Sequence, residues 1–446
     1  MKLYEIVTAL RNAKGSKEKQ SILDGQKDNE LFKAFCKAVY DPAISYYVTK
    51  IPKVAASDMA EFDGDLIAWI VDNIAGRVYT GDRALAHLKQ MSACLNVEGQ
   101  ELMQIILDRK IGASVGDTMI LKTWPDLYFL PPYMRCSSMD AKVRAHYATL
   151  VHFYVQPKYD GSFCYLSTKM GATRQGSLYP TWLINRLSNG LMPDMVLMGE
   201  MEVLMFNGDF YAPMARKDGN GVLNSVLQGG EEKDFEQYQF KYTAWDAVPY
   251  DDFKAGISED IYEDRLDFLA RATIKTSAIT IGFTWTVDSV KKANEIHIKE
   301  TKAGREGTVW KNPKGLWKDS SSGTKDAVKN KVVFSCEMEV EDYYEGVGKA
   351  AGMLGGVRMK SRCGKVKNDC GSGFSDKQRK DFWAIKEQLP GKIFEVEAND
   401  ITEARGKSTF SLSLPIFVEE RFDKKEADTY ERIVEQFEAV KNGLTN

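Results

Sequence analysis

The chain has 446 residues, 43% hydrophobic and 28% charged, with a formal net charge of −3; that length suits roughly two to four domains, and the lack of low-complexity tracts marks an ordinary folded protein. Residues 1–20 carry no apolar core of signal-peptide length, and no uncharged apolar run is long enough to span a bilayer, which predicts an intracellular, cytoplasmic protein without a membrane partner. Seven scattered cysteines without a Cys-x-x-Cys pair, and four histidines far apart, argue for reduced thiols and against a disulfide framework or structural zinc; a divalent ion would sit on carboxylates and phosphates, as magnesium does.

Residues 1–129 read as helices. Phe32, Phe35, Cys36, Val39 and Tyr40 recur at i, i+3, i+4, i+7 and i+8, one buried stripe. The same period runs from Leu66 through Trp69 and Ile70 to Ile74, and from Leu102 to Ile106. Near the end of this block Gly112-Ala113-Ser114 follows Arg109 and Lys110. Such small residues either make a plain interhelical turn or let backbone N–H groups at Gly112 and Ser114 approach a phosphate.

From about 130 the pattern changes. Leu130-Pro131-Pro132 reads as a linker, and short strands then alternate with short helices. An apolar run, Val151 to Val155, leads into Lys158-Tyr159-Asp160-Gly161 and a second strand, Phe163 to Leu166. Alone, this lysine motif is equally the composition of a solvated hairpin turn. Met195 to Phe206 is nearly all apolar except Glu200 and Glu202, which share one strand face; an unpaired carboxylate there would be costly, so a cation, a metal or a polar cleft is expected opposite. Arg216 and a glycine-rich turn through Gly221 come next, then a strand from Tyr242 to Val248 carrying Trp245-Asp246. Arg305 to Lys311 places Glu306 and Lys311 at the two ends of another short strand.

Residues 332–446 read as β. Val332, Phe334, Cys336, Met338 and Val340 alternate with polar residues; so do Phe394, Val396 and Ala398, and Phe410, Leu412 and Leu414. Such short alternating strands match a small barrel of the oligonucleotide-binding type. Tyr430, Ile433, Val434, Phe437 and Val440 predict an amphipathic helix packed on it. Arg358, Lys360, Arg362, Lys365 and Lys367 crowd ten residues without an acid, the pattern of a phosphate contact or of a solvated strand edge. Gly346-x-Gly348-x-x-x-Gly352 lacks the context of a phosphate-binding loop and reads as a connection between barrel strands.

In order, Lys158-x-Asp160-Gly161, Gly199-Glu200, Trp245-Asp246, Glu306-Gly307 with Lys311, Lys329-x-Lys331 and Arg421-x-Asp423-Lys424 form six short patterns. Their sequence resembles the covalent nucleotidyltransferase superfamily, and within it the ATP-dependent DNA ligases of the T-even phage type. Residues near the start (KEKQSILDGQKDNELFKAF), 111–117 (IGASVGD), 244–249 (AWDAVP), 365–374 (KVKNDCGSGF) and 412–417 (LSLPIF) carry the likeness over essentially the whole chain. It implies a multidomain α+β fold: a helical DNA-binding domain at 1–129, an ATP-grasp-like nucleotidyltransferase domain at 130–331 and an oligonucleotide-binding β-barrel at 332–446.

The resemblance further implies a monomer that joins 3′-hydroxyl and 5′-phosphate ends of nicked duplex DNA in replication, repair and recombination, using ATP and Mg2+. Lys158 matches the family nucleophile, with Lys329 and Lys331 neutralising the α-phosphate. Glu306 matches the main metal-associated carboxylate, joined by Asp160 and Glu200. Gln156 is placed at the adenine edge, Trp245 on its face, and Arg174 at ribose or nick phosphate. Arg421 and Lys424 match the barrel motif that orients pyrophosphate. Gly112, Ser114, Arg174, Arg216, Lys360, Arg362 and Lys365 are the expected DNA contacts.

Three positions depart from the family. Phe163 stands where an arginine is usual, Met198-Gly199-Glu200-Met201 replaces Asp-Gly-Glu-Leu so that Glu202 competes for the strand role, and no arginine follows Pro415. The missing arginine keeps an RNA ligase as the alternative, although the N-terminal helices speak against it. They speak equally against a capping guanylyltransferase, and the absent zinc cysteines against an NAD-dependent ligase. From another class, a non-catalytic nucleic-acid-binding protein with a decayed core is opposed by the intact Lys158, Lys329, Lys331 and Glu306.

Overall fold

The computed structural model describes residues 2–275, 278–403 and 409–443. The chain forms two compact units: Met1–Tyr133 with Gly161–Ser258 and Arg265–Ile281, and Met134–Asp160 with Glu259–Asp264 and Gly282–Asn446.

The first unit opens with helices Leu3–Asn12, Ser16–Asp24, Glu30–Tyr40, Gly64–Trp69, Gly81–Ala93, Val97–Asp108 and Asp117–Thr123. They surround one core in which Phe32, Phe35, Cys36, Val39 and Tyr40 are buried together, as their spacing predicts. Asparagine side chains accept from Phe32 N and Gly99 N and so start two of these helices, satisfying donors that a helix leaves unpaired. The stripe from Leu66 to Ile74 does not stay α-helical: it passes into a π-helical segment, Ile70–Ala75. The wider turn still buries Ile70 and Ile74, which explains why the period looked continuous.

The unit also holds a six-stranded sheet in which Gly171–Thr173, Ser162–Leu166, Met195–Phe206, Tyr238–Pro249 and Ile279–Ile281 lie side by side, with Tyr211–Pro213 off the path. Cys164, Leu166, Met201, Val203, Tyr242 and Ala244 point into its core. Alternation therefore sends Phe163, Tyr165, Glu200, Glu202, Thr243 and Trp245 to the other face. The glycine-rich stretch after Arg216 is not a turn: Arg216–Leu227 is a helix. Burial of Leu223 and Val226, with Gly219 lying close to Val203, outweighs the helix penalty of its two glycines.

In the second unit a five-stranded sheet runs Met134–Ser138, Ser320–Lys331, Gly307–Lys311, Phe153–Pro157, Trp285–Val287. The predicted run from Val151 becomes strand only at Phe153; Val151 is 90% exposed, just after the turn that ends the preceding helix. Phe153, Val155, Val287, Trp310 and Val328 face a core shared with helix Val290–Lys302. Register puts Gln156, Val309 and Lys329 abreast on the opposite face.

The same unit contains a barrel-like sheet of Lys367–Cys370, Leu354–Lys360, Phe334–Glu345, Ile393–Ala398 and Ile416–Glu420. Phe334, Cys336, Met338, Val340, Phe394, Val396 and Ala398 are buried as their alternation predicts. Leu414 departs from that pattern: the strand ends at Leu412, and Leu414 is 66% exposed at φ 53°, in a turn before Pro415. Helix Tyr430–Lys441 buries Ile433 and sets Phe437 against Phe334. Its far end also meets helix Val290–Lys302, where Thr301 Oγ1 donates to the Lys441 carbonyl at 3.0 Å.

Candidate active site

Lys158 follows the strand Phe153–Pro157, and its backbone N–H donates to the Gly307 carbonyl at 2.9 Å. That bond draws two stretches of chain together, because Gly307 is preceded by Glu306. Gly307 is obligatory: its φ of 142° lies in glycine territory, and a Cβ would collide with the Asn330 carbonyl. Lys158 Nζ donates to Glu306 Oε2 at 2.6 Å, while Lys331 pairs with the other oxygen of the same carboxylate. All three side chains are about one-fifth exposed.

Burial pushes the Glu306 pKa up, but Lys158 and Lys331 outweigh it and hold the carboxyl below its ordinary value. The pKa of Lys329 is lowered, first by burial and then by Lys331. The cluster is thus one carboxylate clamped by two lysines, beside a third lysine whose charged form is less favoured than in a free side chain.

Gln156, 2% exposed, lies two residues before Lys158, and its Nε2 donates to Thr284 Oγ1 at 2.9 Å. Tyr159, within the lysine motif, accepts from the Phe283 N–H at 2.9 Å. Asp160 is exposed in the turn.

The first unit carries Glu200, Trp245, Arg174 and Arg216. The Gly161 N–H donates to Glu200 Oε1 at 3.3 Å, and a Cβ on Gly161 would strike the Met201 carbonyl. Glu202, on the same face, instead pairs with Lys241 at 3.8 Å. Between the two glutamates, Glu200 is therefore the one that supports the lysine turn. Trp245 tilts against Phe163 with ring centroids 5.9 Å apart, and Phe163 stands edge-on to Tyr133 at 5.3 Å. The Arg174 guanidinium lies 3.9 Å over that Tyr133 ring, a cation–π seat. Arg216 begins the helix whose Asn220 accepts from Ser162 Oγ at 2.9 Å. Asp246 forms a two-pronged buried pair with Arg265 at 2.8 and 3.2 Å.

On the barrel, Arg421 donates to Glu337 at 2.8 Å, Glu395 at 3.1 Å and Asp423 at 2.9 Å, and Lys424 lies 3.5 Å from Glu337. Glu337 and Glu395 are direct cross-strand partners, so these cations also relieve a like-charge pair. The basic stretch is paired as well: Lys360 sits 3.5 Å from both Glu339 and Glu341, Arg362 2.8 Å from Glu426, and Lys365 3.0 Å from Glu431. In the helical block Gly112, Ala113 and Ser114 all take positive φ, at 92°, 52° and 60°, and Lys19 Nζ donates to the Ala113 carbonyl at 2.6 Å.

Gln156, Lys158, Asp160, Glu306, Lys329, Lys331, Arg421 and Lys424 thus belong to the second unit, and Glu200, Trp245, Arg174 and Arg216 to the first. Sequence reading missed Thr284 and Tyr133. Neither sits in a motif, and Thr284 meets Gln156 across 128 residues. For a dication, Glu306 and Asp160 offer hard carboxylate oxygens, yet among the described residues no group of three or more ligands is gathered. The donor chemistry fits magnesium only with phosphate oxygens completing its shell.

A lysine and a glutamate are thus clamped on an antiparallel sheet, with further lysines on the adjoining strand, in a unit that also holds a small barrel-like sheet. Residues 345–421 match the family model described as the DNA ligase OB-like domain. The chain is 26% identical over 494 aligned positions to the DNA ligase of Enterobacteria phage T4, covering 98% of this chain and 99% of the phage protein. To the DNA ligase of Enterobacteria phage T6 it is 25% identical, with the same coverage. The solved structure named Pmar-Lig_Pre superposes with a TM-score of 0.68 at 20% identity, covering 95% of this chain and 99% of that one. The chain is similar to these two phage DNA ligases over nearly its whole length.

Proposed function

We propose that the protein is an ATP-dependent DNA ligase that seals 3′-hydroxyl/5′-phosphate nicks in duplex DNA. The observation that carries this reading is Lys158 clamped to Glu306, with Lys331 on the other carboxylate oxygen and Lys329 on the neighbouring strand. Lys158 leaves that ion pair, loses its proton and attacks the α-phosphorus of ATP; the P–N bond forms and pyrophosphate departs. The nick's 5′-phosphate oxygen then attacks the same phosphorus, freeing Lys158 and giving DNA-adenylate. The 3′-hydroxyl finally attacks the 5′-phosphorus, closing the strand and expelling AMP. Each step is phosphoryl-type transfer, in which positioning and charge neutralisation supply most of the acceleration.

Lys329 and Lys331 neutralise the α-phosphate, Gln156 reads the adenine edge and Trp245 stacks on its face. Arg174 binds ribose or nick phosphate, and Arg421 with Lys424 orients pyrophosphate. Magnesium, held by Glu306 with Asp160 and Glu200, would neutralise phosphate charge. Gly112, Ser114, Arg216, Lys360, Arg362 and Lys365 contact DNA. The functional domains are 1–129, 130–331 and 332–446; separate cores within 3–130 and 334–440 support the first and last. The enzyme acts as a cytoplasmic monomer, and no helix among the described residues is long and apolar enough to cross a membrane.

The test is incubation with radiolabelled ATP and magnesium. Label should stay on the protein through denaturation and vanish in Lys158→Ala; absence of label with any divalent ion overturns the reading. Sealing of nicked duplex DNA should exceed sealing of single-stranded RNA, and the reverse order makes the protein an RNA ligase.

A further inference from the structure

Gln156 is buried at the edge of the nucleotide cluster, and its side-chain amide has two unlike ends. Which end faces the base decides what it reads, since the oxygen accepts and the nitrogen donates. The structure supplies a reason for one orientation. Thr284 Oγ1 donates to the Gly282 carbonyl at 3.1 Å, which uses its single proton. Toward Gln156 it therefore offers only lone pairs, and Nε2 at 2.9 Å is the end that satisfies them. A flipped amide would either set two acceptors against each other or draw the Thr284 proton away from the buried Gly282 carbonyl, leaving a polar atom unsatisfied beside a side chain that is 2% exposed.

The segment bearing Thr284 is itself fixed. Phe283 N–H donates to Tyr159 Oη, and Trp285 pairs with Val155 in the sheet. The hydroxyl is thereby held at a set place beside the lysine motif. Gln156 Nε2 is thus turned toward Thr284 and its Oε1 away from it, on the sheet face shared by Val309 and Lys329.

We infer that Thr284 is a positioning residue that sets base selectivity: through one hydrogen bond it locks Gln156 with its oxygen outward, an acceptor for the exocyclic amine of adenine. A purine with a carbonyl at that position meets a second acceptor and is rejected. This inference rests on the ligase reading, in which the cluster binds ATP.

Inosine triphosphate is the probe, because it exchanges the six-amine for a carbonyl. Equilibrium binding of ATP and of inosine triphosphate is measured alongside covalent labelling by each. Wild type should favour ATP. Thr284→Val keeps the shape and loses the acceptor, so the ATP-to-inosine preference should fall by about tenfold or more; Thr284→Ala serves as a second such variant, and Thr284→Ser should restore the preference. In a Gln156→Glu background both side-chain ends accept, and Thr284→Val should then leave the preference unchanged, a non-additive cycle. An unaltered preference in Thr284→Val and Thr284→Ala, with wild type still binding ATP and taking up label, overturns the inference alone. Failure of wild type to bind ATP overturns the ligase reading and the inference together.

Discussion

Lys158 stands in the structure as one half of an ion pair with Glu306, and the nucleophile role proposed for it requires that pair to open first. That arrangement fixes the lysine side chain and removes an unpaired charge from a partly buried sheet. His297 shows the converse, a group whose surroundings hold it neutral. Its Nδ1 lies 3.2 Å from Thr308 Oγ1, and burial, aided by Arg144, pushes its pKa down to about 4. Above pH 6.5 the histidine is neutral whether folded or unfolded. Between about 6.5 and 4 only the unfolded chain takes up the proton, so stability falls as pH falls through that window, by at most about 3 kcal/mol. Urea unfolding across this range should show that slope in wild type and a flatter one in His297→Gln. Equal slopes would mean the imidazole titrates normally.

At the scale of elements, each sheet divides its labour by face. One face of the Met195–Phe206 strand feeds a core, while the other lines up Glu200 with Phe163 and Trp245. Two glutamates two residues apart were legible as sharing a face. Only the cross-strand register separates them, because Glu200 meets the Gly161 turn and Glu202 meets Lys241. The Trp245-Asp246 pair splits similarly: the indole is partly exposed on the site face, and the carboxylate anchors helix Tyr262–Ala272 through Arg265, whose side chain is 1% exposed. Asp246→Ala should cost about 3–5 kcal/mol, because removing one partner of a buried pair strands the other. Lys254→Ala, which breaks an exposed pair with Asp251, should change stability by less than about 1 kcal/mol. Comparable shifts in the unfolding midpoint would deny the Asp246 pair its anchoring role.

For the whole molecule, a net charge of −3 requires that DNA be met by local patches. The three lysines and two arginines between 358 and 367 are the proposed patch, yet each is matched to an acid on the barrel. Exposed pairs of this kind are weak and exchange readily for phosphate. Lys360→Ala combined with Lys365→Ala should weaken nick binding and reduce the slope of log affinity against log salt by about two, at roughly 0.9 per phosphate contact. Self-adenylylation should be unaffected. An unchanged slope would leave those lysines paired to Glu339, Glu341 and Glu431 throughout.

What the sequence determined by itself was the residue types and their order: a lysine before Asp-Gly, glutamates on apolar strands, Lys329 two residues from Lys331, and helical periods before strand alternation. These are local signals, set by side-chain period and turn composition, and they survive without knowledge of the fold. The same locality explains the misreadings at Arg216–Leu227 and Leu414, where burial and a turn overrode the local pattern. Tertiary structure decided the pairings: Lys158 with Glu306 across 148 residues, Gln156 with Thr284 across 128, and the acids that hold Arg421. Strand register settles such contacts, since a shift of one residue sends every side chain to the other face of its sheet.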